Sequence, residues 1–205
     1  LIIMIDVSLT QSFLTPKSVA IIGASADPKK TGSRAQRFLV SHGYKGKIFP
    51  VNPNREEIFG LKCYPNLKSI NEHIDHIFIA VDSNKIIEAI KDAISKKVRC
   101  ATILSGGFTE SGSEGNDLEK QVFKIAQKGN LRILGPNSIG LINISDNVIL
   151  SANAMLELQD LKKGSLGVIS HSGSLIGALL AHGHSRGIGF SKLVSVGNES
   201  DLSVG

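Results

Sequence analysis

The feature that most constrains the fold is a series of short segments that are apolar at nearly every position. They lie at 18–24, 47–52, 76–81, 100–106 and 131–135. Strands of this kind are buried on both faces, which is typical of a parallel sheet covered by helices on its two sides. Helix-like stretches separate them, at 33–43, in the turn-rich 54–70, at 84–96 and at 115–129. The pattern predicts an α/β fold with a Rossmann-like, doubly wound parallel sheet over residues 12–145.

A second round of the same alternation follows a predicted linker at 146–164. Residues 166–170 are typical of a strand, 174–186 of a helix after a glycine turn, and 192–196 of a further strand. One such unit cannot bury its own sheet, because parallel strands need partners and cover on both faces. We therefore expect 165–205 to be an incomplete second α/β domain, and the chain to be part of a longer protein.

Composition narrows the functional classes. A net charge of +5 on 205 residues is compatible with nucleic acid, a membrane surface or a small polyanion as partner. The basic residues are spread, and there are two tyrosines and no tryptophan, so that a base-stacking surface for nucleic acid is not indicated. No segment reaches about 18 apolar residues, so that no membrane-spanning helix is expected. Residues 1–11 lack the basic leader and cleavage site of a signal peptide.

The cysteines and histidines do not indicate a metal site. Cys63 and Cys100 have neither metal-ligand spacing nor the pattern of a disulfide framework, which favours a reducing cytoplasm. His73 and His76 are interpreted as solvated residues of a polar connector that precedes a strand. No metal is therefore predicted.

The end of the first strand predicts a phosphate-binding loop, because open parallel sheets bind ligands outside the carboxyl ends of their strands. In GASADPKKTG, Gly23 permits a tight exit and Gly32 lets backbone approach a phosphate at a helix N-terminus. Ser25, Lys30 and Thr31 add possible donors. The loop is too long, and its glycines are misplaced, for the G-x-G-x-x-G fingerprint of dinucleotide sites.

The end of the second strand bears on the identity of the nucleotide. NAD recognition usually needs an acidic side chain here for the ribose hydroxyls. This position is Asn52, and Arg55 follows it. An arginine beside the ligand favours a phosphorylated ribose, as in NADP or coenzyme A (CoA).

The other three strand ends carry small and polar residues. Val81 and Ser83 follow the third strand, and GPN, ending at Asn137, follows the fifth. The fourth strand ends in a flexible turn whose backbone amides we expect to be exposed, formed by Ser105, Gly106, Gly107 and Phe108. Five such ends in succession predict a ligand cleft along this edge of the sheet.

The chain resembles a known family in five segments: PKSVAIIGAS, GKIFPVNPNREEIFGLKCYP, LSGGFTESG, GPNSIGLIN, and GVISHSGSLIGALL with the following GIGFSKLVSVGN. In order and spacing they are similar to the nucleoside-diphosphate-forming acyl-CoA synthetases. These include ADP-forming acetate–CoA ligase and the α subunit of succinyl-CoA synthetase. The resemblance covers residues 14–205. It implies a CoA-binding Rossmann-like domain followed by the start of a flavodoxin-like domain.

The resemblance also implies roles for the residues of the first domain. CoA phosphate and ribose groups would be held by Ser25, Lys30, Thr31 and Gly32. Arg55 stands where the succinyl-CoA synthetase α subunit has a lysine that meets the CoA nucleotide. The adenine and pantetheine path would be lined by 81–83 and 105–108.

In the second domain, SHSGS opens a helix, and the resemblance implies that Ser172, Gly173 and Ser174 stabilise the phosphate of a phosphohistidine. The implied reaction interconverts acyl-CoA, ADP and phosphate with carboxylic acid, CoA and ATP through an acyl phosphate. The phosphohistidine is expected beyond residue 205, so no catalytic residue is assigned here. ATP or ADP, Mg and an ATP-grasp domain or subunit belong to other parts of a full-length protein that we expect to be an oligomer.

Three residues depart from the family pattern. Asp82 replaces a proline and places a negative charge near the implied CoA path, and Ser138 replaces a cysteine after GPN. His171 replaces a glutamine or arginine in SHSG. We do not interpret His171 as the phosphohistidine, which in the family lies further along the chain.

Two other functions are left open by the sequence. A regulatory CoA-sensing module, like the synthetase-like region fused to some protein lysine acetyltransferases, would share these motifs. An NAD(P)-binding oxidoreductase or redox sensor would share the fold, although the missing acid after the second strand disfavours it.

Overall fold

The computed structural model describes residues 7–204. Residues 1–6, which begin the segment considered above for a signal peptide, and Gly205 lie outside the described residues. The α-helices are α1 (Val7–Leu14), α2 (Thr31–Ser41), α3 (Ile86–Ser95), α4 (Ser113–Lys128) and α5 (Gly173–Ser185). The strands are β1 (Ser18–Ile22), β2 (Lys47–Val51), β3 (Glu57–Ile58), β4 (Leu61–Lys62), β5 (His76–Ile79), β6 (Cys100–Ile103), β7 (Arg132–Leu134), β8 (Gly140–Asn143), β9 (Val148–Ser151), β10 (Lys163–Ser170) and β11 (Phe190–Ser195). Among the described residues, no helix combines the length and the apolar character needed to cross a bilayer.

The first sheet has five parallel strands in the order β2-β1-β5-β6-β7. This confirms the predicted doubly wound parallel sheet. β1 pairs with β2 on one side and with β5 on the other, so that the chain reverses its direction of winding there. Loops diverge at such a switch point, which is where open α/β sheets bind ligands.

Alternate side chains of the central strands supply two cores. Ala20 and Ile77 face a layer that contains α3 and α4, whereas Ile21 and Phe78 face one that contains α1 and α2. All four residues are fully buried. Burial on both faces accounts for the nearly continuous apolar runs, because every side chain of such a strand is removed from water.

The prediction of a helix-like stretch at 54–70 is wrong. The segment forms a two-stranded hairpin, β3 with β4, and a short 3-10 turn at Leu67–Ser69. The hairpin turns at Phe59 and Gly60, both at positive φ. The segment contains one proline, two asparagines and one glycine and lacks an apolar helical repeat, so that turns form in place of a helix.

The second sheet takes strands from both sides of the predicted domain boundary. Its order is β10-β11-β8-β9, in which β10 and β11 are parallel and β8 is antiparallel to both β11 and β9. β8 precedes the predicted linker at 146–164, and β9 lies within it. The β10–α5–β11 unit thus obtains from β8 and β9 the sheet partners that it needs. The domain bounds at 145 and 165 stay a prediction.

Packing and hydrogen bonds connect the two sheets. Phe38 of α2 is buried together with Ile142 of β8 and Ile176 of α5. Ser138, between β7 and β8, is also buried, and its Oγ donates to the carbonyl of Ser195 at the end of β11. These contacts fix the exit of β7 relative to the exit of β11.

His76 does not lie in a solvated connector, and that interpretation is wrong. It is the first residue of β5 and fully buried, with Nε2 2.8 Å from Thr102 Oγ1 and Nδ1 3.1 Å from the carbonyl oxygen of Ser12. Burial lowers the pKa of His76 to about 4. His73, by contrast, is exposed. In the described part of the chain, no group of three or more His, Cys, Asp or Glu side chains is arranged to hold a metal ion.

Candidate functional site

Two glycines set the geometry of the loop between β1 and α2. Gly23 leaves β1 at φ +84°, and a Cβ there would lie 2.5 Å from the carbonyl oxygen of Ala80, after β5. Gly32, in the first turn of α2, is buried, and a Cβ there would lie 2.5 Å from the carbonyl oxygen of Gly23. Gly32 is therefore required for packing α2 against the end of β1. From the sequence, Gly32 was predicted only to let a phosphate approach the backbone.

The rest of this loop is closed by its own hydrogen bonds and exposes its lysines. The Asp27 N–H donates to Ser25 Oγ (3.1 Å), and the Asp27 carboxylate accepts from the Lys29 N–H (2.9 Å). Lys30 is the N-cap residue of α2, and its side chain makes no capping hydrogen bond. Lys29, Lys30 and Thr31 are exposed. Unpaired N–H groups at a helix start, next to lysines, favour an anion.

Asn52 joins the ends of β1 and β2. Its side-chain amide donates to the carbonyl of Ala24 (2.8 Å), and its Oδ1 accepts from the N–H of Asn54 (2.9 Å). The position at which a dinucleotide site would carry an acid is thus occupied by a residue that fixes two strand exits to each other. Arg55 follows on the same loop and is exposed.

The loop after β6 lies against the exit of β5. Ser105 Oγ donates to the carbonyl of Val81. A Cβ at Gly107 would lie 3.1 Å from Ser83 Oγ, so that Gly107 and Ser83 are neighbours. The structure therefore brings together the residues predicted at the third and fourth strand ends.

Two backbone amides of this loop, which was predicted to expose them, already donate hydrogen bonds within the protein. The N–H groups of Gly107 (2.7 Å) and Phe108 (3.2 Å) both donate to Glu110 Oε1. Phe108 is fully buried, and its side chain packs in the core beneath the loop. Gly106 is exposed, and a Cβ there would lie 3.8 Å from Asn137 Oδ1, towards the exit of β7. The glycines in the sequence do not reveal that a carboxylate of the same loop accepts hydrogen bonds from the loop's N–H groups.

Two cavities open along this edge of the sheet. The smaller, of about 280 Å³, is lined by Gly23, Asn52 and Val81 at the exits of β1, β2 and β5, and by Lys85 and Glu88 near α3. Its volume is close to the lower end of the range of about 300–1,000 Å³ that is common for small-molecule sites. The larger cavity, of about 690 Å³, lies between α2 and the start of α5.

The start of α5 forms one wall of the larger cavity, and the three residues predicted there all line it. Ser172 is the N-cap residue, and its Oγ accepts from the N–H of Leu175 (3.2 Å). A Cβ at Gly173 would lie 1.7 Å from Ile139 Cγ2, so that only glycine permits this packing. Ser174 is exposed.

Arg34 is a residue of the larger cavity that the sequence did not indicate. It lies one turn into α2, and its Nη1 donates to the carbonyl of Ala152 (3.1 Å). The one sequence signal that could have identified Arg34 is its position just beyond the predicted phosphate loop. His171, noted above as a departure, also lines the cavity, with Nε2 3.4 Å from Glu199 Oε2. An arginine opposite a helix start with exposed serine hydroxyls suits an anionic group.

Two family models match the chain. A CoA binding domain matches residues 17–144, and a succinyl-CoA ligase like flavodoxin domain matches residues 163–205. The first match contains all the strand exits of the parallel sheet, and the second contains the start of α5. Both matches agree with the resemblance inferred from the sequence motifs.

Individual relatives extend over nearly the whole chain. The ADP-forming acetate–CoA ligase II of Archaeoglobus fulgidus is 38% identical over 189 residues, which are 91% of this chain and 28% of that protein. The α subunit of the ADP-forming acetate–CoA ligase II of Pyrococcus furiosus is 37% identical over 190 residues, 93% of this chain and 40% of that subunit. The chain thus spans well under half of the length of the curated relatives it matches.

A solved structure shows the same arrangement. It is the dinucleotide forming acetyl-coenzyme A synthetase 1 of Ca. Korarchaeum cryptofilum in complex with phosphate and ADP. The TM-score is 0.88 at 35% identity, and the match covers 95% of this chain and 40% of that chain. The likeness includes both the parallel sheet and the start of the second domain.

Proposed function

Because the chain belongs to the family of CoA-binding domains, we propose that it binds CoA or acyl-CoA along the carboxyl ends of its first sheet. One observation carries the proposal: the strand exits that the family match spans lie at a single edge, where the loop after β1 exposes lysines beside an uncapped helix start. The ligand's phosphates require such donors and positive charge. The residues present therefore fit CoA.

In this proposal the loop after β1 holds the phosphates and ribose of CoA. Lys30 supplies charge, and Ser25 and Thr31 supply hydroxyl donors beside the N–H groups of α2. Gly32 keeps that helix start against the sheet, and Arg55 meets the phosphorylated ribose.

The smaller cavity takes the adenine, with Val81 and Ser83 at its edge. From there the pantetheine arm crosses the backbone of 105–108 towards the larger cavity. Phe108 contributes by supporting this loop from below, because its side chain is buried.

We further propose that the whole protein is an ADP-forming acid–CoA ligase of which this chain is the N-terminal part. Both curated relatives described above carry that activity in their names. Bound CoA supplies the thiol that accepts or releases the acyl group. Ser172, Gly173 and Ser174 hold a phosphate at the start of α5, where hydroxyls and N–H groups favour it.

Further parts of that protein complete the reaction in this proposal. An ATP-grasp domain or subunit binds ATP or ADP with Mg, and a phosphohistidine lies beyond residue 205. The assembled protein is an oligomer. Its compartment is the cytoplasm, which suits two cysteines, Cys63 and Cys100, that are free and buried.

Calorimetric titration of the 205-residue chain with CoA tests the binding proposal. We expect saturable binding that weakens with added salt, because salt screens the contacts to phosphate. NADH should not bind. Lys30→Ala and Arg55→Ala should each weaken CoA binding by about 10- to 150-fold, because a hydrogen bond to a charged group contributes about 1.5–3 kcal/mol. Lys120→Ala, an exposed lysine of α4, is the matched control and should bind as the wild type does.

A folded wild-type chain that shows no CoA binding at millimolar ligand would overturn the proposal. Equal binding of CoA and NADH would also contradict it, since it would identify a general nucleotide site. CoA binding can be measured on this chain without the remaining parts of the proposed ligase.

A further inference from the structure

Two carboxylates connect the loop after β6 to the loop after β11, and the proposed function assigns no role to either of them. Glu110 lies in the first of these loops, and Glu119 lies in the second turn of α4. Asn198 and Ser200 lie in the loop after β11. We call Glu110, Glu119, Asn198 and Ser200, together with Thr109, the carboxylate clasp.

Glu119 is surrounded by donors. Its Oε2 accepts from the N–H of Thr109 (3.1 Å), from Thr109 Oγ1 (2.7 Å) and from Asn198 Nδ2 (3.0 Å). Ser200 Oγ donates to its Oε1. A neutral amide of the same shape would replace these charge-assisted hydrogen bonds by weaker ones, and its NH₂ group would require Ser200 Oγ to accept where it now donates.

Glu110 connects the same network to the loop that follows β6. Its Oε1 accepts from the N–H groups of Gly107 and Phe108, and its Oε2 accepts from Asn198 Nδ2 (2.8 Å). The N–H of Asn198 donates in turn to the carbonyl of Pro136 after β7 (2.9 Å). The loops after β6, β7 and β11 are therefore tied at one residue.

Both carboxylates are held in their charged form. Burial raises the pKa of Glu119, but the hydrogen bonds from Ser200, Thr109 and Asn198 lower it by more, so that it lies below its usual value. Burial likewise raises the pKa of Glu110, and the bonds from Asn198 and from N–H groups of its own loop outweigh that effect. Hydrogen bonds to ionised groups are stronger than those between neutral groups.

The loop that the clasp holds lies between the two cavities. A Cβ at Gly107 would lie 3.1 Å from Ser83, at the exit of β5 beside the smaller cavity. A Cβ at Gly106 would lie 3.8 Å from the side chain of Asn137, which lines the larger cavity. A ligand with its nucleotide at the smaller cavity and its thiol end at the larger one must cross this loop.

We propose that Glu110 and Glu119 are positioning residues for CoA, which hold the loop 105–108 in the shape over which the pantetheine arm passes and tie it through Asn198 to the second sheet. The inference rests on the proposed function. Neither carboxylate needs to touch the ligand. A loop that is ordered before binding loses less conformational entropy when the ligand arrives, so that affinity for the pantetheine-bearing ligand rises.

Glu119→Gln tests this inference with the least change of shape. The variant and the wild-type chain are titrated with CoA and with adenosine 3′,5′-bisphosphate, which has the nucleotide of CoA without the pantetheine arm. We expect the affinity for CoA to fall about tenfold, because a loop left disordered in the free variant must be ordered on binding, at about 1–2 kcal/mol for each residue. The affinity for the bisphosphate should not change. Glu114→Gln, at an exposed position of the same helix, is the matched control and should change neither affinity.

Hydrogen–deuterium exchange measures the order of the loop without a ligand. The N–H groups of Gly107 and Phe108 should exchange faster in Glu119→Gln and in Asn198→Ala than in the wild type. The double variant should show less than the sum of the two losses in CoA affinity, because the two residues are hydrogen-bonded to each other and belong to one network. Asn198→Ala also serves as the test should Glu119→Gln fail to fold.

A folded Glu119→Gln that binds CoA as the wild type does would overturn the positioning role. An equal loss for CoA and for the bisphosphate would overturn it too, because that pattern indicates general destabilisation. Absence of CoA binding by the wild-type chain would overturn the proposed function, and with it this role for the clasp. If the N–H groups of Gly107 and Phe108 exchange in Glu119→Gln as fast as in the wild type, the carboxylate clasp does not order the loop. That result would leave the proposed CoA binding standing.

Discussion

The buried His76, which stays neutral in the folded chain, should make the fold sensitive to mild acid. The imidazole packs edge-on against Phe13 and lies beside Thr102 Oγ1, and burial lowers its pKa to about 4. In the unfolded chain a histidine has a pKa of about 6.5. Between these two values the unfolded chain binds a proton that the folded chain does not, so that the free energy of unfolding falls as the pH falls.

The size of the effect follows from the two pKa values. The contribution is fully present above about pH 6.5 and is lost as the pH falls through the folded-state pKa of His76. Linkage gives a loss of about 2 kcal/mol at pH 5 and about 3 kcal/mol at pH 4, relative to neutral pH. A domain has about 5–15 kcal/mol in total, so that this loss is large enough to measure.

Urea unfolding at pH 7 and pH 5 measures this loss. We compare the wild-type chain with His76→Gln, whose side chain does not titrate, and with His73→Gln as a control at an exposed histidine. The wild type and His73→Gln should each lose about 2 kcal/mol more than His76→Gln between the two pH values. Equal losses in all three proteins would refute the reasoning. Should His76→Gln not fold, an NMR titration that gives the His76 ring an ordinary pKa would refute it as well.

Two further predictions concern the strand exits. Gly32→Ala should lower the free energy of unfolding by about 1–3 kcal/mol, because its Cβ would lie 2.5 Å from the Gly23 carbonyl oxygen. The control is Gly167→Ala, whose Cβ would have its nearest neighbour at 3.9 Å. Its free energy of unfolding, measured in the same urea titration, should stay within about 0.5 kcal/mol of the wild type. Asn52→Asp would turn an acceptor towards the Ala24 carbonyl and should destabilise the chain by about 1–3 kcal/mol without creating NADH binding. A fluorescence titration in which Asn52→Asp gains NADH binding would contradict this prediction, because it would show that residue 52 selects the ligand through its ribose hydroxyls.

The parallel sheet was predictable because it depends on local patterns. Strands buried on both faces, such as the one containing Ala20 and Ile21, must be apolar at successive positions, and this is visible in the sequence. The edge at which ligands bind follows from the same pattern, since parallel strands end together. The glycines at 23 and 32 were visible for the same reason, although their packing role was not.

What the sequence did not reveal depends on contacts between distant segments. The burial of His76 requires Thr102 and α1 to lie against β5, and periodicity contains no information about those partners. Asn52 looked like a missing acid, because the carbonyl of Ala24 that it binds is distant in sequence. β9 was interpreted as linker because a short strand of a hairpin is recognised mainly by the strand it pairs with.

The hydrogen bonding of the loop after β6 is the feature of the site that the sequence least revealed. Its glycines indicate flexible backbone with free N–H groups, but the carboxylate of Glu110 takes up two of them. Glu110 is in turn bound by Asn198, which is 88 residues further along the chain. A sequence motif shows which conformations a backbone can adopt, whereas the tertiary partners determine the one that it does adopt.

CoA binding at the strand exits is tested most directly by the amide NMR spectrum of the isotope-labelled chain during titration with CoA. The largest shifts should fall at residues 23–32, 52–55, 81–83 and 105–108, and they should saturate together. The exposed face of α4 around Lys120 should not shift. A spectrum that stays unchanged at saturating CoA, or that shifts only away from these four loops, would contradict the assignment of this edge as a CoA site.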